Sequence, residues 1–329
     1  MRHVGFVLVV LMMAAKTVLA EVKLDDKTVV SFASVDQGKK VLASRDDFVR
    51  RLSPFDRASR LKTDEDVSEE AYLKFVANNV LEWNESERSL LSAAVSDISP
   101  QLKQLALPWP EKVIVIKTTG KEEGDSAYTR ANAIVFPRSL LEPYQDVGQM
   151  FRHELFHILS RQNPALRDDL YRVIGFEKCK EIEFPTEYAK RRITNPDAPL
   201  NDHCIQVRAN GNAIWAMPVL YARGDYDAAR GGDFFNYMTL RLVVVAEGDT
   251  SRPQHWVYDP RRPRMCGLDD VSGLVEQVGR NTGYIIHPEE ILAENFVLLL
   301  SDRKHPSSPE ILDKMKAVLA KHSRNPNRK

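Results

Sequence analysis

The chain has 329 residues, 43% of them hydrophobic, enough for one large or two modest units with a real apolar core. Its 46 basic and 46 acidic residues cancel to a formal net charge of zero, so no general nucleic-acid role is implied. Short basic clusters (Lys190-Arg191-Arg192, Arg261-Arg262 with Arg264, and the tail from Lys314 to Lys329) read as solvated surface.

Arg2 and His3 precede an apolar run from Val4 to Ala15, Lys16 ends it, and Val18-Leu19-Ala20 offers a small-residue cleavage site. Residues 1–20 therefore read as a signal peptide, with an exported chain, periplasmic or secreted, beginning at Glu21. An uncleaved anchor is the alternative, but the run is short for a bilayer. No later stretch approaches that length, so no stable membrane insertion is expected. Export permits disulfides; Cys179, Cys204 and Cys266 are odd in number, and Cys179–Cys204 would close the shortest loop.

Residues 21–44 read as a short β-rich lead-in, and helical patterns dominate the rest of the region to residue 107. A helix is expected from Ser68-Glu69-Glu70 through Trp83, and another from Ser86 to Leu105. Lys112 to Lys117 (KVIVIK) reads as a strand and Tyr128 to Pro137 (YTRANAIVFP) as a second.

The chemistry enters at His153-Glu154-Leu155-Phe156-His157, an HExxH motif inside an apolar helical pattern that includes Val147, Met150, Phe151, Leu155, Ile158 and Leu159. Asn163-Pro164 ends that helix, since the residue before proline avoids the α region. Residues four apart lie on one helix face, so His153 and His157 can aim two imidazoles at one ion. Glu154, one step round, is placed to take a proton from water. Two neutral imidazoles, a third ligand and an open water position make a catalytic Zn²⁺ site, which lowers the pKa of water from about 15.7 to roughly 7. The bland reading is a core helix with two satisfied histidines.

From about residue 176 to 283 the pattern turns β-rich, with apolar or alternating runs at Cys204 to Val207, Ala213 to Tyr221 and Tyr237 to Ala246. Asp225, Asp227 and Asp233 sit in glycine-containing turns whose spacing matches no calcium loop, and His203 and His255 read as isolated polar sites.

The third ligand is a histidine, an aspartate or a glutamate from a second helix. The best candidates lie in His287-Pro288-Glu289-Glu290-Ile291-Leu292-Ala293-Glu294-Asn295-Phe296, where proline and two acids suit a helix start. Glu290 and Glu294 share a face, and Ala293 between them allows close approach of another helix. Residues 301–329 read as a C-terminal helix and a basic tail.

The pair HELFH and EILAENF resembles the gluzincin zinc peptidases, and the second block is similar to the ExxAE pattern of lethal-factor-like metallopeptidases. The resemblance covers roughly residues 149–160 and 284–298. It implies an α+β, zincin-like catalytic domain over residues 108–300: a small sheet, the HExxH helix and a glutamate helix, here with a β-rich insert. It implies Glu290 as third ligand and Glu294 as a carboxylate that fixes the tautomer of His153 or His157. Glu289 competes for the ligand role. It also implies a sheet edge along the cleft to which a peptide can add, and Ala131 to Phe136 is the expected edge.

The expected activity is hydrolysis of a peptide or protein substrate by metal-activated water, with Glu154 as general base. Tyr284 and His287, just upstream of the glutamate helix, are the candidate oxyanion donors. Two other readings stay open: a zinc hydrolase or amidase acting on a non-protein or cell-wall peptide substrate, and a non-catalytic metal-binding protein. Glu154 argues against the last, since a structural site needs no base and closes with four ligands.

Overall fold

A computed structural model describes residues 21–142, 144–301 and 305–323. The expected signal peptide and the end of the basic tail lie outside the described residues. The fold is mixed α+β, with two sheets and ten α-helices among the described residues.

The first sheet contains β1 (Glu21–Lys23), β2 (Val29–Phe32), β3 (Val80–Leu81), β4 (Lys112–Thr118), β5 (Tyr128–Arg130) and β6 (Ala133–Pro137), in the spatial order β1-β2-β4-β6-β5 with β3 also on β4. β4 runs parallel to both β2 and β6, while β5 is antiparallel to β6. The helices are α1 (Val35–Leu42), α2 (Asp47–Arg51), α3 (Pro54–Leu61), α4 (Glu69–Asn78), α5 (Glu85–Leu105), α6 (Val147–Gln162), α7 (Pro164–Val173), α8 (Leu274–Val278), α9 (Pro288–Leu299) and α10 (Pro309–Lys321). Side chains of a strand alternate between faces. On β4, Val113 and Val115 join the core with α5 and α6, whereas Ile114 and Ile116 pack with residues of α1 and α4. Covered on both faces, KVIVIK is apolar throughout except at its ends, as parallel strands tend to be.

Two sequence expectations need correction here. The helix opened by Ser68 stops at Asn78 rather than Trp83, because Val80–Leu81 leaves it to pair with Lys117 and Thr118 as β3. The segment Tyr128 to Pro137 is not one strand but a hairpin, turned at Ala131, which adopts a left-handed φ of 53°. In consequence Ala131 to Phe136 is not a free edge: β6 is buried along its whole length between β4 and β5, and β5 is the edge strand.

The second sheet holds β7 (Phe176–Lys178), β8 (His203–Ala209), β9 (Asn212–Ala222), β10 (Met238–Glu247), β11 (His255–Trp256), β12 (Met265–Cys266) and β13 (Val271–Ser272). Every pairing in it is antiparallel. The β-rich stretch is thus a real sheet. One face of it (Ile205, Val207, Ile214, Ala216, Leu242, Val244) belongs to the same core as α6 and α9, and that core also takes in Leu24, Phe32 and α5. Residues 21–107 therefore contribute strands to the sheet of β4, β5 and β6 and side chains to the core of the HExxH helix. Cys179, Cys204 and Cys266 are free thiols; a hydrogen bond with Cys179, together with burial, holds the Cys204 thiol far above its ordinary pKa. No helix among the described residues is long and apolar enough to cross a membrane.

Candidate metal centre

Two helices bring the motif residues together. Asp146 caps α6, its carboxylate accepting from the Gln149 N–H at 2.8 Å, and Asn163 closes the other end, its side-chain amide donating to the Leu159 carbonyl at 2.8 Å. His287 caps α9, where its Nδ1 accepts the Glu289 N–H at 3.1 Å and Pro288 occupies the first turn. The helices meet through apolar contacts such as Phe156–Phe296, whose rings are 5.6 Å apart; such pairs add about 0.5–1.5 kcal/mol beyond burial. Ala293 is fully buried at this crossing, where its small side chain lets the backbones approach.

The result is a symmetrical use of the two imidazoles. His153 Nε2 lies 3.2 Å from Glu290 Oε2, and His157 Nε2 lies 3.8 Å from the same oxygen. The Nδ1 atoms face away and each meets a different carboxylate: Glu294 Oε1 at 3.0 Å from His153, and Glu289 Oε1 at 3.0 Å from His157. Glu289 is itself fixed by Ser160 Oγ at 2.7 Å and the Tyr171 hydroxyl at 2.5 Å, both donating to Oε2. Asn195 donates its amide to Glu290 Oε1 at 2.6 Å. One ligand atom each from His153, Glu154 and His157 fall within 4.8 Å of one another, and so do those of His157, Asp197 and Glu290. These groups could hold a metal ion. Glu154 Oε2 and His157 Nε2 are buried with no hydrogen-bond partner among the described residues, which is costly unless an ion or water meets them.

The electrostatics of the cluster are set by burial and by its own opposite charges. Burial disfavours charge on His157, but Asp197, Glu290 and Glu289 outweigh it and raise its pKa to about 9. Burial likewise opposes charge on His153, and its bonds to Glu290 and Glu294 hold it well above the usual range. Burial would raise Glu290, yet the two histidines and Asn195 bring it down to about 2. Glu154, buried and facing Asp197, is pushed up to about 8.

A cavity of about 310 Å³ opens on this cluster. His153, Glu154, Asp197 and Glu290 form one wall; Leu220, Phe234, Phe235 and Met238, from the β-rich stretch, contribute an apolar one. Tyr284 stands in the same cavity, 39% exposed; partial burial and the charges of Glu290, Asp197 and Glu154 raise its phenol pKa, so it remains a hydrogen-bond donor. His287 is placed differently: it lies half-buried against Tyr171, outside this cavity, and desolvation lowers its pKa to about 4. Its role in the fold is that of a cap. His203 is buried too, its Nδ1 2.7 Å from Asp202 Oδ1 and its Nε2 3.3 Å from Asp168 Oδ1.

Sequence reasoning missed Asn195, Asp197, Ser160 and Tyr171. Ser160 had a readable signal, being three residues after His157 on the same face. Asn195-Pro196-Asp197 looked like any polar turn, and Tyr171 like a packing residue of α7. Comparison with protein-family models, with curated proteins and with solved structures found no match for the chain.

Proposed function

We propose that the chain is an exported, zinc-dependent peptidase with a zincin-like catalytic core of the gluzincin kind, hydrolysing peptide bonds with Glu154 as general base. The observation that carries this reading is the paired orientation of the histidines. Both turn Nε2 toward one oxygen of Glu290, while a separate carboxylate holds each Nδ1–H. Carboxylates on the outer nitrogens of metal-binding imidazoles fix the tautomer and raise ligand basicity. A pair of merely satisfied core histidines has no need of this arrangement. His153, His157 and Glu290 would hold the ion, with Glu294 and Glu289 supporting one histidine each.

Zinc in that position supplies Lewis acidity toward the scissile carbonyl and lowers the pKa of water. The protein does the rest. Glu154 takes the proton of the attacking water and returns it to the leaving amine, the role its position beside both histidines suits. Tyr284, protonated and inside the cavity, donates to the developing oxyanion. The apolar wall of Leu220, Phe234, Phe235 and Met238 receives a substrate side chain. Export rests on residues 1–20 of the sequence.

The test is the metal content of the purified mature chain, followed by a peptide library with Glu154→Gln as the inactive control. One zinc per chain and cleavage that disappears in Glu154→Gln are expected. No zinc after reconstitution would sink the proposal.

A further inference from the structure

Asp197 has no place in the ligand set drawn from the two motif helices, yet it reaches the same atoms. It sits in the connection between β7 and β8, its side chain only 9% exposed. One of its carboxylate oxygens, a His157 nitrogen and a Glu290 oxygen lie within 4.8 Å of one another.

Its delivery there is constructed from both sides. The edge strand β5 presents Thr129, whose backbone N–H donates to Asp197 Oδ1 at 2.8 Å and whose hydroxyl donates to the same oxygen. The Asp197 N–H donates to Asn195 Oδ1 at 2.9 Å, and Asn195 in turn holds the far oxygen of Glu290. Asn195 thus ties the two carboxylates into one frame. Both Thr129 bonds fall on Oδ1, so Oδ2 takes no part in them. The Arg161 guanidinium is 3.9 Å from Oδ1, too far for a hydrogen bond. Its positive neighbours, Arg161 and the His157 ring, make no hydrogen bond to its carboxylate among the described residues, and a carboxylate buried on those terms is costly. An independent observation points to what would meet it: the Nε2 of His157, a residue of the same group, is buried and has no hydrogen-bond partner among the described residues.

We propose that Asp197 is a fourth protein ligand of the divalent cation, making a set of two imidazoles and two carboxylates. This rests on the metal-centre reading above. Two carboxylates balance the charge of a divalent ion. With four protein ligands, a position for water would require five-coordination, which catalytic zinc sites reach in some transition states. Under this proposal the role of β5 is to set the second carboxylate, whatever it does for a substrate.

The experiment uses the full mature chain, stripped of metal and titrated with Co²⁺, whose visible absorption bands respond to the ligand set. Wild type, Asp197→Ala, Asp197→Asn and His157→Ala are compared by spectrum, by competition with a chromophoric chelator and by thermal unfolding of the metal-free form. Asparagine keeps an oxygen for Thr129, so Asp197→Asn separates loss of a ligand from loss of the loop. Expected are one Co²⁺ per wild-type chain, none in His157→Ala, and altered bands in both Asp197 variants. The affinity of Asp197→Ala should fall by more than the roughly 100-fold that bounds loss of a supporting carboxylate. Spectra that superimpose on wild type, with a smaller loss of affinity, overturn the proposal while leaving the metal centre standing. No Co²⁺ on the wild type overturns both.

Discussion

Glu289 Oε1 lies 3.0 Å from His157 Nδ1, whereas Oε2 of its neighbour Glu290 lies 3.8 Å from Nε2 of the same ring. Adjacent glutamates on one helix thus address opposite nitrogens of one imidazole. The helix makes this possible because successive residues point about 100° apart. Removing Glu290 should abolish stoichiometric metal binding. Removing Glu289 should weaken it by about 10–100-fold, the usual loss for an outer carboxylate. Metal titration of Glu290→Ala and Glu289→Ala checks this, and equal losses would reverse the assignment of the two.

Glu154 should separate binding from turnover. Its Oε2 is buried without a hydrogen-bond partner among the described residues, and its helix position puts it beside both histidines. Glu154→Gln preserves shape and removes the base. Metal content should stay at one per chain, while kcat falls by at least about 10²–10⁴-fold, the range of general-base contributions. A variant that keeps substantial activity would assign the proton transfer elsewhere.

The pH dependence follows from the same cluster. In the metal-free chain His157 has a folded pKa of about 9 against an ordinary 6.5, so the stability it contributes is complete below 6.5 and lost as pH rises through 9. Glu154 acts in the same direction: raised to about 8 from 4.5, its contribution is complete below 4.5 and lost as pH rises through 8. Glu290 has the opposite sign, since its depressed pKa of about 2 gives stability above 4.5 that is lost as pH falls through 2. Metal-free protein should therefore unfold more readily on going from pH 6.5 to 9. Metal binding needs neutral imidazoles, so apparent affinity should rise over that window, roughly tenfold per pH unit for each proton displaced. Chemical denaturation with and without zinc, at several pH values, measures both trends. A metal-free stability that increases from pH 6.5 to 9 would contradict the pairing described.

Where the sequence was legible, a short-range pattern carried the information. The bounds of α6 at Val147 and Gln162 follow from apolar spacing and the Asn163-Pro164 stop, and the face shared by Glu290 and Glu294 follows from their separation of four. The strands β8, β9 and β10 were visible as apolar runs of the right length. The turn at Ala131 was not, because alanine carries no signal for a left-handed conformation, and so the edge was placed one strand too far inward. Asn195 and Asp197 were hidden for a different reason. Their placement depends on contacts to β5 and α9, 68 and 95 residues away in sequence, and no local periodicity encodes such a meeting.

The support for that loop reaches into the N-terminal helices. Asp56 of α3 accepts the Thr194 N–H at 3.1 Å and the Thr194 hydroxyl at 2.8 Å, one residue before Asn195. Arg60, one turn on, pairs with Asp56 at 2.8 Å and with Glu123 at 2.8 Å, and its side chain is fully buried. Breaking such a pair by removing one partner leaves an unmatched buried charge and costs about 3–5 kcal/mol. Arg60→Ala should therefore lower stability by that order and, by freeing Thr194, loosen Asn195 and Asp197 at the metal centre. Arg60→Met, which refills the volume but also strands Glu123 and Asp56, should be nearly as harmful. Restoring neutrality in Arg60→Met with Glu123→Gln should recover part of the stability. Unfolding free energies of these variants, read beside their zinc affinities, test the coupling. A large loss of stability with unchanged zinc affinity in the folded fraction would mean that the ion network holds the fold but not the site.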